Sequence, residues 1–168
     1  MLHVYSLADH QLTIGLSQSV ASQLGLRDSS GNLLTNFTIG GPGENNEGSF
    51  VGQITASRNK ELFTTTGDAT GSWVHDKNLD RTGHIRVDIT QISDDVITLV
   101  QLCQIFESVQ SRMPGLELTI NSVASGTTPM VAGRDCYISK LPDLPLGETA
   151  SRLSWDFTCG QVIYEHSR

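Results

Sequence analysis

The chain has 168 residues, 38% of them hydrophobic and 17% charged, enough for one folded core and unlike a disordered chain. Eleven Lys and Arg stand against 18 Asp and Glu, for a net charge of −7, and the basic residues are scattered. That speaks against a surface that grips nucleic acid by neutralising phosphates. Low charge and 16 glycines suit β structure with polar, uncharged surfaces.

In chain order, Gln11-Leu12-Thr13-Ile14-Gly15-Leu16 opens as a strand with Leu12, Ile14 and Leu16 on one face. Asp28-Ser29-Ser30-Gly31-Asn32 is a turn cluster, and Phe37 and Ile39 mark a further short strand. Residues 40–48 hold four glycines and Pro42, which no regular element accommodates. This reads as a loop or the tip of a hairpin. It lacks the pattern of a phosphate-binding loop, and Glu44 and Glu47 would repel phosphate.

Residues 54–58 and 62–66 read as strands, and Thr64-Thr65-Thr66 suits an exposed or interfacial one. Gly67-Asp68-Ala69-Thr70-Gly71 is a turn, followed by a short strand at Trp73-Val74-His75 and a turn-rich connection to Gly83. Residues 84–90 alternate strictly. Ile85, Val87 and Ile89 take one face, and Arg86, Asp88 and Thr90 the other.

A single helix is expected over about 93–112. Ser93 stands at its N-cap, with Asp94 and Asp95 in the first turn, where they favour the positive end of the macrodipole. Val96, Ile97, Leu99, Val100, Cys103, Phe106 and Val109 supply its broad apolar face, and Pro114 stops it. Three more strands are expected, at 116–123, 136–141 and 152–159, with Gly160 interrupting before Val162–Tyr164. Gly126-Thr127-Thr128-Pro129 and the proline-rich 141–147 read as loops.

The three cysteines, Cys103, Cys136 and Cys159, lie far apart in apolar stretches and read as buried free thiols of a reducing compartment. No basic-then-apolar segment opens the chain, and no apolar run approaches the ~20 residues needed to span a membrane. The expectation is a chain made and folded in cytoplasm.

Motifs that carry chemistry do not appear. The histidines form no H-E-x-x-H and no zinc spacing with cysteine, so His75 and His84 read as surface residues rather than metal ligands. Asp94 and Asp95 are accounted for by capping, and no G-x-S-x-G supplies a nucleophile. Trp73 and Trp155, at strand spacing, read as core residues or as half-buried at an interface. The expectation is a non-enzyme with no cofactor and no metal, in one domain over 1–168.

The order is strands, a glycine-rich loop, a polar hairpin, one helix, then more strands. From Ile54-Thr55-Ala56-Ser57-Arg58-Asn59-Lys60 to Thr66-Gly67-Asp68, and from Asp80-Arg81-Thr82-Gly83-His84-Ile85-Arg86-Val87-Asp88-Ile89 to Ser93, the chain resembles tail tube proteins of contractile-tailed bacteriophages. Those have a polar hairpin with a glycine–aspartate turn, a Gly-initiated alternating strand and a Ser-capped helix. The best match covers about 40 residues, and the strand order extends it loosely along most of the chain. The resemblance implies a mainly β fold, a β-sandwich or small barrel with one packed helix. It also implies hexameric rings stacked into a tube that passes DNA without binding it specifically. Its partners would be further copies of itself and the tail sheath, baseplate and terminator proteins of a virion.

On this reading Glu44, Glu47, Arg86, Asp88 and Thr90 are the candidate lumen or inter-subunit residues. Tail terminators and the tubes of secretion systems and bacteriocins are alternatives of the same kind. An alternative of another class is a small-molecule-binding β-barrel with Trp73, Trp155 and Phe157 around its cavity.

Overall fold

The computed structural model describes residues 10–40, 51–108, 113–122 and 128–165. Strand β1 (His10–Gly15) buries Leu12 and Ile14 on one face, and Leu16 continues the row. Helix α1 (Gln18–Leu24) follows. Ser17 caps it by accepting the Val20 N–H at 3.4 Å, and Gly25 closes it at φ 70°, donating to the Ala21 carbonyl.

Next come β2 (Asn36–Gly40), β3 (Val51–Arg58), β4 (Phe63–Gly67), β5 (Trp73–Lys77) and β6 (Gly83–Thr90). Helix α2 (Asp94–Ser108), β7 (Leu116–Ser122), β8 (Thr128–Ile138) and β9 (Arg152–Tyr164) complete the order. Ser93 accepts the Asp95 N–H at 3.4 Å, so it caps α2 as its position in the sequence implies.

Seven strands form one antiparallel sheet in the order β2-β1-β7-β8-β9-β6-β3, and β4 and β5 form a separate hairpin. The mainly β expectation therefore holds, with two amendments. The sheet is not closed into a barrel, because β2 and β3 stand at its two ends. Two helices are present among the described residues, not one. Helix α1 has seven residues and buries only Val20 and Ala21, too short a stripe to show a period.

The core is one cluster. Leu12 and Ile14 of β1, Ile39 of β2, and Ile85, Val87 and Ile89 of β6 meet Leu116 and Leu118 of β7 and Leu153, Trp155 and Phe157 of β9. Leu99 and Leu102 of α2 and Val20 of α1 cover this layer.

Strand β8 begins at Thr128, where the sequence reads as a loop. Pro129 pairs with Asn121 beside a register irregularity, a place that tolerates a residue without an N–H. Strand β9 runs unbroken through Gly160, but its inward face resets there. Leu153, Trp155, Phe157 and Cys159 are buried, and then Val162. Strand β8 resets opposite, between Gly133 and Cys136, at Asp135 with φ 53°.

Candidate assembly surfaces

The outward face of β6 carries His84, Arg86, Asp88 and Thr90, because Ile85, Val87 and Ile89 point into the core. Register fixes their neighbours. Arg86 lies between Thr55 of β3 and Asp156 of β9, Asp88 between Gln53 and Ser154, and Thr90 opposite Arg152.

Arg86 Nη2 stands 3.6 Å from Asp156 Oδ2, and His84 Nδ1 stands 3.2 Å from Asp156 Oδ1. The Ser154 hydroxyl donates to Asp88 Oδ1 at 2.5 Å. Together these strands line an open polar groove of about 410 Å³. Such solvent-exposed pairs add at most ~1 kcal/mol each to stability. They set the chemistry of the surface, one arginine against two aspartates. Among the described residues no group of three or more His, Cys, Asp or Glu could hold a metal ion.

Arg86, Asp88 and Thr90 thus share the outward face expected of them, while Glu44 and Glu47 lie outside the described residues. The sequence reading missed His84, Ser154 and Asp156 as members of this face. The alternation of residues 152–159 turns Ser154 and Asp156 outward. The sequence does not show that β9, more than sixty residues later, pairs with β6.

The β4–β5 hairpin exposes every residue of both strands, including Phe63, Val74 and Trp73, the last at 68%. Its tip is built by Asp68, whose Oδ1 accepts the Thr70 hydroxyl at 2.6 Å and the Thr70 and Ser72 N–H groups at 2.9 and 3.0 Å. These donors, the Thr70 hydroxyl first, hold the Asp68 carboxyl below its ordinary value. At the base, the Thr82 N–H and hydroxyl, then Lys60, do the same for Asp80.

A two-stranded ribbon with neither face buried is marginal by itself in water, and its aromatics stand exposed. Trp155 and Phe157 are wholly buried in the core. Trp73 therefore shares no cavity wall with them, which removes the ligand-barrel arrangement of these three rings.

Strands β2 and β3 end the sheet, and no further described strand pairs beyond either. Residues 33–165 match the family model described as the Bacteriophage PhiTE tail tube protein. The chain belongs to this tail tube family.

Solved structures of contractile systems share the fold of this family member. One, the tube-terminating cap of an anti-feeding prophage, matches with a TM-score of 0.52 at 9% identity, covering 99% of this chain and 94% of that one. A chain of a PVC sheath–tube complex, from an extracellular contractile injection system in the extended state, gives 0.54 at 10%, covering 98% and 93%. The sheath/tube terminator of the same kind of system gives 0.50 at 11%, covering 98% and 99%. No curated protein sequence matches significantly. The chain is thus a tail-tube-like structural component.

Proposed function

We propose that the chain is the repeating subunit of a phage tail tube, assembling into stacked hexameric rings whose lumen conducts DNA during ejection. The observation that carries this is an open seven-stranded sheet with β2 at one end and β3 at the other, in a member of a tail tube family. The β3 end of one subunit meeting the β2 end of the next is a head-to-tail contact that closes a ring and removes exposed sheet edges. The glycine-rich stretch 41–50 joins these two strands in sequence.

The two sides of the sheet suit two surroundings. Helices α1 and α2 belong to the same core cluster as the inward face of β6, and Arg86, Asp88 and Thr90 lie on the other face. We assign the polar face to the lumen. A net charge of −7, shared in part by that face, repels phosphate and lets DNA slide. The exposed side of α2, with Ile92 before it and Ile97 on it, then faces the sheath. Ring contacts with further copies, together with sheath, baseplate and terminator, complete the partners. The chain would be made in the host cytoplasm and reside in the virion tail.

A second reading is a terminator. Two of the solved structures that share the fold are of that kind, a tube cap and a sheath/tube terminator. A terminator forms rings that do not stack.

The lumen assignment is tested with Asp88→Lys and Glu44→Lys in particles. A basic lumen binds phosphate, so ejection should slow, and raising the salt should restore it. Particles with both substitutions that eject at the normal rate would overturn the assignment.

A further inference from the structure

Cys136 of β8 and Cys159 of β9 are direct partners in the register, fully buried, with their sulfurs 2.8 Å apart. The hydrogen-bond pattern says what kind of partners they are. The Ser139 N–H donates to the Asp156 carbonyl at 2.9 Å, which makes 139 and 156 a hydrogen-bonded pair. Counting along the register, 138 with 157 is non-hydrogen-bonded, 137 with 158 bonded, and 136 with 159 non-hydrogen-bonded. In antiparallel sheets such pairs bring Cα atoms to ~4.5 Å, inside the ~4.4–6.8 Å range that a disulfide spans.

The surroundings leave room for both sulfurs. Gly133 lies beside them, and a Cβ at that position would stand 3.0 Å from each. The pair also occupies a particular place in the fold. Strands β8 and β9 join the β2-β1-β7 side of the sheet to the β6-β3 side, and the thiols sit beside the point where both strands reset their inward faces.

We propose that Cys136 and Cys159 are a disulfide site, closed by exchange with a small-molecule disulfide such as oxidised glutathione. One cysteine thiolate attacks that disulfide, breaks its S–S bond and releases one small thiol. The second cysteine thiolate then attacks the mixed disulfide, forming the Cys136–Cys159 bond and releasing the second thiol. The two cysteines give up two electrons and two protons, and the small disulfide takes them up. Because neither sulfur meets solvent, β8 must first open from β9, so the local stability of this seam sets the rate. Cys103, on α2 and away from the pair in the register, is the internal control. The proposal concerns the folded chain itself and stands independently of the tube reading.

The test treats the full chain with oxidised glutathione at urea concentrations rising towards the unfolding midpoint. Remaining thiols are then alkylated and the peptides mapped by mass spectrometry. The expected result is one Cys136–Cys159 linked peptide, alkylated Cys103, and a Tm raised by about 5–10 °C that reductant reverses. A Cys136→Ala/Cys159→Ala double variant should lose the shift. If that variant does not fold, the peptide map of the unaltered chain decides. Alkylation of Cys136 and Cys159 to the same extent as Cys103, or a linked form that melts below the reduced one, would overturn the proposal.

Discussion

Gly83, the first residue of β6, has no room for a side chain. A Cβ there would run into the Ser57 carbonyl and stand 2.8 Å from Val162 Cγ2. Its role is close approach: β3 and β9 both press on this position. Gly83→Ala should therefore destabilise the chain by about 3 kcal/mol through forced displacement of β3, measurable by urea unfolding. An unchanged midpoint would contradict the packing described. Asp68 and Asp80 accept hydrogen bonds that strengthen when the carboxyl is ionised, and the folded state lowers both pKa values from 3.8. A depressed folded value means that their contribution is present above about pH 3.8 and is lost as pH falls through the folded pKa. Amide exchange at Thr70 and Ser72 should be indifferent to their titration near neutrality and gain an extra, acid-induced opening below that window. Asp68→Asn should show little of this acid step.

At the scale of elements, the β4–β5 hairpin carries the clearest expectation. Its aromatics are half or more exposed and stand outside the core cluster, so Phe63→Ser with Trp73→Ser should leave the monomer's Tm within about 2 °C. The same pair should abolish assembly, because central aromatic anchors carry most of an interface's energy. Light scattering and thermal melts on one preparation separate the two effects. Elements differed in how far they could be read. Strand β6 and helix α2 announce themselves, since strict alternation and a capped apolar stripe are local signals. Helix α1 leaves too short a trace, and the first half of β8 is hidden by Pro129 and by the bulge that accommodates it. For the outward face, Arg86, Asp88 and Thr90 were legible from alternation alone. Ser154 and Asp156 belong to it only through the pairing of β9 with β6, and pairing between distant strands leaves no mark in a local pattern.

For the whole molecule, the sheet order explains what composition could only suggest. The chain is acidic and carries no recognisable catalytic motif, and its sheet ends in β2 and β3 rather than closing on itself. A head-to-tail contact between those ends would use up both edges, and the hairpin would be left to reach a neighbouring ring. The central claim is therefore assembly, and electron microscopy of the purified full chain tests it most directly. The account predicts stacked rings forming tubes about 10 nm wide, an estimate from several small domains in a circle. Isolated rings would favour the terminator reading, and a monomer that persists at high concentration would contradict the account.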